Sequence, residues 1–269
     1  MNKIVWVAIA LIWMPWAEGG AAELFFGAAS GERLQFKLYW MGVLAGEATL
    51  QMESGPQGSY VVRSTLSSSG AARLVRAIDD RFTAEGQRHG FLWSARRYLK
   101  EQQRGSQSKW SRYQFDRELR QVVRTRRGSE EQREERLPIA VESEQVTDPF
   151  SSFYAVRAWP ELFPNRRLDR WAVEGEKVHC LSIAVGGGHM LATKLGELAV
   201  FPVRITVGNS EMFRNRGPIV VWLTDDIRRI PVQVEAQLAI GSVVAELVAY
   251  EDGLGGSKSV QQGVGEKRE

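Results

Sequence analysis

Residues 213–250 read FRNRGPIVVWLTDDIRRIPVQVEAQLAIGSVVAELVAY. Three apolar segments, 219–223, 230–239 and 243–250, are separated by one polar break and one glycine-bearing break. Short apolar runs punctuated by turn residues specify a tight antiparallel meander. The remaining segments are expected to be strands that join it.

Working outward, residues 32–40 alternate Leu34, Phe36, Leu38 and Trp40 with Arg33, Gln35, Lys37 and Tyr39, the period of a strand with one buried face. Gly42 and Gly46 supply turn backbone before a second alternating strand through Ala48, Leu50 and Met52, so these two form a hairpin. A turn at 54–58 leads to a third strand at 60–66. Residues 71–77 allow one helical turn before a strand at 78–84. From 91 to 137 the chain is highly charged yet strand-like, at 97–103, 109–115 and 119–126, with a turn at 116–118 and a polar tip at 128–135. Thr147-Asp148-Pro149 opens the one convincing helix, because Thr147 or Asp148 can cap free amides and proline suits the first helical position. Phe150, Phe153, Tyr154 and Trp159 recur near helical spacing before Pro160, which predicts an aromatic face packed on the sheet. Strands resume at 171–173, 177–185, 190–194 and 198–207. The expected fold is mainly β: an antiparallel barrel-like or strongly curved sheet with one short helix packed against it, since closure or covering manages exposed edges.

The ends and the composition bound the function. Lys3, an apolar run at 4–16 and small residues at Gly20 and Ala22 read as a signal peptide, residues 1–22, cut after Ala22. The run is short for a transmembrane helix, which needs about 20 apolar residues. With no cysteine near the cleavage point, the expectation is a soluble periplasmic protein that is not a lipoprotein and does not span the membrane after cleavage. A linker at 23–31, one β-rich domain at 32–252 and a disordered tail at 253–269 complete the expected organisation. The single cysteine, Cys180, allows no internal disulfide and reads as a small buried residue, leaving stability to a hydrophobic core drawn from the 43% apolar residues. The formal net charge of +3 spreads over 35 basic and 32 acidic residues, which permits contact with anionic lipid heads or glycans without demanding it.

Three stretches together resemble a family of exported bacterial proteins known as domain of unknown function 3108: ERLQFKLYWMGVLAGEATL at 32–50, DPFSSFYAVR at 148–157, and VWLTDDIRRIPVQVEAQLAIGSVVAEL at 221–247. The first resembles that family's aromatic strand and turn, the second its short helix ending in Tyr-x-x-Arg, the third its Trp-Leu-x-Asp-Asp turn followed by Arg and Pro. The resemblance implies an envelope location and an antiparallel β fold, and supplies no catalytic residues.

Reactive constellations are sparse. His89, His179 and His189 lack metal-like neighbours at productive spacing, and His179 and Cys180, adjacent on a strand, point to opposite faces. The Gly186–Gly188 run joins strands and opens no helix, so it lacks the context of a phosphate loop. Asp225 and Asp226 are the most enzyme-like acids, although an Asp-capped turn neutralised by Arg228 or Arg229 explains them as well. Basic and aromatic residues interleave near Trp93, Tyr98, Trp110, Tyr113 and Phe115 as in nucleic-acid binders, but export argues against nucleic acid and for a solvated hairpin face. The expectation is a non-catalytic binding protein, without metal or cofactor, for a hydrophobic or amphipathic envelope molecule; Phe150, Phe153, Tyr154, Arg157, Trp40 and Trp222 are the candidate ligand-binding residues. Arg157 has two readings, a cap for the helix end or a partner for an anionic head. The alternatives are a structural or assembly partner of an envelope complex, touching lipid, glycan or protein, and a hydrolase using Asp225 or Asp226.

Overall fold

The computed structural model describes residues 30–75, 77–127, 132–139, 145–208, 217–238, 241–253 and 257–259. The expected signal peptide therefore lies outside the described residues. The first eight strands are β1 (Glu32–Trp40), β2 (Val43–Ser54), β3 (Ser59–Ser68), β4 (Ile78–His89), β5 (Leu92–Arg104), β6 (Gln107–Asp116), β7 (Gln121–Arg127) and β8 (Gln132–Pro138), and each pairs antiparallel with the next. The β1–β2 turn is a two-residue loop in which both Met41 (φ 50) and Gly42 (φ 82) are left-handed, the backbone that matches strand twist. A short helix, α1 (Gly70–Val75), links β3 to β4.

The second run holds β9 (Val146–Thr147), helix α2 (Pro149–Arg157), β10 (Arg167–Glu174), β11 (Lys177–Val185), β12 (His189–Thr193), β13 (Gly196–Val207), β14 (Ile219–Thr224), β15 (Pro231–Gln237), β16 (Ser242–Asp252) and β17 (Ser257–Ser259). Strands β13, β14, β15 and β16 form the meander. β11 and β12 lie end to end along β13, one broken strand whose interruption is the Gly186–Gly188 run. β9 pairs in parallel with β10, joined through α2. The two runs are stitched together by β1 and β16, which pair from Glu32↔Asp252 to Trp40↔Val243.

Right-handed twist accumulates over so many strands, and here it carries the β10–β11 turn round to the other run. Lys100 on β5 pairs with Glu174, the Tyr113 hydroxyl donates to the Gly175 carbonyl at 3.0 Å, and Arg124 and Arg126 on β7 reach Glu176 at 3.1 and 2.7 Å. Inside the curl, α2 packs on β4, β5 and β10. Its aromatic side meets a ring stack: Tyr154 against Trp93 at 5.4 Å, Trp93 against Tyr60 at 4.6 Å, and Phe150 between Phe82 at 5.5 Å and Tyr98 at 6.0 Å. Such pairs contribute about 1 kcal/mol each beyond their buried area.

Several expectations need correction. The helix stops at Arg157, with Ala158 as its C-cap, so Trp159 lies beyond it. The polar tip expected at 128–135 is partly strand, because β8 begins at Gln132. Ser257–Ser259, assigned to a disordered tail, add to β16 as β17; main-chain pairing along that edge requires no apolar side chains. Cys180 is half-buried, opposite Trp171 on the paired strand. In the charged section, Trp93, Tyr98 and Tyr113 are core residues and Arg96, Arg97 and Lys109 are exposed, whereas Lys100 and Arg124 share the core face with Tyr98 and Tyr113.

Candidate functional site

Helix α2 is fixed at both ends. At its start, Asp148 adopts the extended backbone of an N-cap, and one carboxylate oxygen accepts from the Phe150 and Ser151 amides at 2.9 Å each. The other accepts from the Ser151 hydroxyl at 2.5 Å, and Ser151 in turn meets the Tyr60 hydroxyl at 2.6 Å. Thr147 and Ser152 share a further hydroxyl contact. Burial raises the Asp148 carboxyl to about 6, against the lowering effect of these hydrogen bonds.

At its other end Arg157 is completely buried and forms a two-pronged pair with Glu32, Nη1 to Oε2 at 2.8 Å and Nη2 to Oε1 at 2.7 Å. Its remaining donors go to the backbone of the β14–β15 turn, Nε to the Arg229 carbonyl at 2.9 Å and Nη2 to the Arg228 carbonyl at 3.0 Å. The Tyr154 hydroxyl also donates to Glu32, at 3.1 Å. Arg229 returns the contact, its Nη1 donating to the Arg157 carbonyl at 2.8 Å and the Trp159 carbonyl at 2.5 Å, so it satisfies the free carbonyls at the helix end. Burial alone would lower the Arg157 pKa, but Glu32 outweighs it and holds the guanidinium above its ordinary value.

Asp226 builds the turn that presents those carbonyls. One carboxylate oxygen accepts from the Arg228 and Arg229 amides and the Thr224 hydroxyl; the other accepts from the Arg228 side chain. Burial would push this carboxyl up, yet Arg228 and Thr224 carry it below the usual carboxylate range. Asp226 is thus an ionised turn cap, whereas acid-base work by paired carboxylates needs environments that push their pKa values apart. Asp225 and Asp226 border a recess of about 180 Å³ with Leu198, Tyr250 and Arg228.

An apolar opening beside the helix is a slot of about 60 Å³ between α2 and strands β11, β13 and β14. Phe153 and Val156 form one wall; Leu181, Ile183, Val203, Ile205, Val221 and Leu223 form the other. That volume is far below the roughly 300–1,000 Å³ of pockets that engulf small molecules.

The six expected ligand-binding residues do not converge. Phe153 lines the slot, and Phe150 and Tyr154 belong to the ring stack. Arg157 borders the slot, but of its two readings, helix-end cap and partner for an anionic head, neither contact is seen: its guanidinium donates to Glu32 and to two carbonyls of the β14–β15 turn, and Arg229 serves the helix end. Trp222 donates to Glu235 at 2.6 Å and meets His189 edge-on; as a strand neighbour of Val221 and Leu223 it points away from the slot. Trp40 is exposed at the β1–β2 turn, at the other end of β1 from Glu32. Glu32 was legible and missed: it shares strand parity with Leu34 and Phe36, and an acid on a buried face requires a cation.

The three sequence stretches that carry the resemblance supply the parts of this one clamp: Glu32 from the first, Asp148 and Arg157 from the second, Asp226 and Arg229 from the third. No curated protein compared with the chain matches it. Among solved structures, a β-barrel-like protein of domain of unknown function DUF1849 from Brucella abortus is similar at a TM-score of 0.56 and 11% identity, over 84% of this chain and 99% of that one. That likeness concerns the fold alone. The hypothetical protein CT021 from Chlamydia trachomatis aligns over 87% of this chain and 93% of its own, with 7% identity and a TM-score of 0.39. The profile of the family described as Protein of unknown function (DUF3108) matches residues 35–248, and the chain belongs to that family.

Proposed function

We propose that this is an exported, periplasmic, non-catalytic binding protein that takes one apolar chain end of an amphipathic envelope molecule, or one apolar side chain of a partner segment, into the slot beside α2. The observation that supports it is the slot's lining. Its walls are predominantly apolar and meet along a helix held at both ends by buried polar networks, so the recess keeps its shape without a ligand. The ring stack occupies the middle of the curl, and the slot's size limits the ligand's buried part to a few carbons. The sequence at 1–22 supports export, and the use of Asp226 as a turn cap favours binding over hydrolysis.

Two measurements test this. Fluorescent fatty acid should bind the protein saturably, and Ile205→Asp, at the half-buried mouth, should weaken it about tenfold or more, since a carboxylate beside an alkyl chain must be desolvated. Equal titration curves for the two proteins would end the slot reading. Cell fractionation with N-terminal sequencing should find a periplasmic chain beginning at Glu23; a cytoplasmic chain beginning at Met1 would end the export reading.

A further inference from the structure

Because consecutive strands run antiparallel, the β1–β2, β3–β4, β5–β6 and β7–β8 connections share one end of the sheet, and the β15–β16 turn joins them through β16 beside β1. The helix clamp lies toward the other end, where β1 begins at Glu32. The first end exposes apolar side chains on three adjacent elements. Met41 and Val43 in the β1–β2 turn are each 64% exposed, with Trp40 and Leu44 beside them, while Leu74 and Val75 of α1 reach 90% and 87%. Leu238 in the β15–β16 turn is exposed too.

These elements touch. The Ser69 amide donates to the Ala45 carbonyl at 2.9 Å, joining the start of α1 to β2, and the Met41 amide donates to the Ser242 carbonyl at 3.0 Å. A Cβ on Gly241 would lie 2.5 Å from Met41 Cγ and 3.3 Å from Trp40 Nε1. These backbone contacts leave most of the apolar side chains in water. A two-residue turn of this kind favours Asn, Asp or Gly first, yet Met41 holds a left-handed backbone with its side chain against Gly241 and largely exposed. Helix α1 buries no residue. Contiguous exposed apolar surface of this kind marks an interaction site.

Charge identifies the partner. Residues 38–46 and 238–245 contain no charged side chain. Of the acids nearest them, the exposed Glu47 stands opposite Lys37 on β1, Asp79 is tied to Arg73 at 2.9 Å, and the buried Asp80 receives Arg104 at 3.2 Å. Lys109 and Arg127, at the same end on β6 and β7, are exposed. An uncharged apolar tip that includes a tryptophan, with exposed bases farther along the same end of the sheet, matches the boundary between anionic headgroups and acyl chains. We propose that this end docks on an anionic lipid bilayer, with Met41, Val43, Leu74 and Val75 entering the headgroup boundary and Lys109 and Arg127 lying over the headgroups.

The test is sedimentation of the exported protein with vesicles of phosphatidylethanolamine and phosphatidylglycerol, beside vesicles of phosphatidylcholine alone. Binding should favour the anionic vesicles, fall as salt rises, and drop about tenfold or more in Leu74→Glu/Val75→Glu, because two charges then oppose insertion. Both positions are solvated, so circular dichroism should show an unchanged fold; Met41→Ser serves as an independent second variant. Any leader still attached is common to all three proteins, so the difference between them reports the tip. Ile205→Asp should leave vesicle binding intact, which separates this proposal from the slot reading. Equal sedimentation of wild type and both variants would overturn it. So would self-association that the variants abolish while no vesicle is bound, since the tip would then be a surface between copies of this chain.

Discussion

Arg157 and Glu32 are the pair on which the helix position depends. Each is nearly inaccessible to water, at 0% and 1% exposure, so removing one strands the other. Such losses cost about 3–5 kcal/mol, whereas replacing both by apolar groups of like volume is far milder. Glu32→Leu and Arg157→Met should therefore each lower stability by about that amount, and the double variant by clearly less than the sum, in a double-mutant cycle read by urea unfolding. Additive losses would mean the two side chains act independently. Asp148 makes a second, pH-dependent case. Its carboxyl rises from 3.8 to about 6 in the fold. Stability contributed through this group is fully present below about pH 4 and is lost as pH rises through 6, by about 3 kcal/mol at most. Asp148→Asn keeps the cap oxygen, and its amide can donate to Ser151 while Ser151 donates to Tyr60. The variant should therefore lack this loss when melting temperature is followed from pH 4 to pH 7. The Asp148 cap was legible from Thr-Asp-Pro ahead of an aromatic repeat, because capping is local. The destination of Arg157 was not, because its partner stands 125 residues earlier and its acceptor carbonyls 71 and 72 residues later.

Elements were legible where their period was simple. β1, with Leu34 and Phe36 on one face and Arg33 on the other, appears where alternation places it, and so does the meander, with boundaries displaced by a few residues. The charged strands β5 to β7 were harder to interpret, since basic residues occupy both faces and those on the core side, Lys100 and Arg124, find their acids on the distant β10–β11 turn. Glycines mark the places where elements approach closely. Gly86 sits at a bulge where β4 pairs with β5, and a Cβ there would lie 2.1 Å from the Ser94 carbonyl oxygen and 2.4 Å from the Tyr60 hydroxyl. A backbone oxygen cannot swing aside as a side chain does. Gly86→Ala should displace Tyr60 from Ser151, loosen the start of α2 and lower stability by about 3 kcal/mol. Denaturant unfolding should show a lower midpoint with an unchanged slope. A melting curve identical to wild type would mean the bulge relaxes freely.

At the scale of the whole molecule, strand order explains why curvature was predictable and its closure was not. Among the described residues, ladders join each strand to a near neighbour in sequence with one exception. The exception is β1 with β16, whose first rung, Glu32↔Asp252, closes nearly the whole domain. Local alternation specifies hairpins, but it says nothing about which two distant edges meet. Long-range pairings of this kind slow folding, because loop entropy is lost before contacts form. Gly31 and Gly253 stand back to back at this seam, where a Cβ on Gly31 would lie 3.0 Å from the Gly253 Cα. A short linker can therefore join 253 to 31 in place of the segment that carries β17, with new ends placed after Ile139, between β8 and β9. Every remaining ladder among the described residues then connects near neighbours in sequence, including β16 with β1. This permutant should show the same circular dichroism as the parent and refold about tenfold faster or more in stopped-flow experiments. The unfolding rate should change little if β1–β16 contacts form before the transition state. Equal refolding rates would place the limiting step elsewhere, in the docking of α2 into the curl.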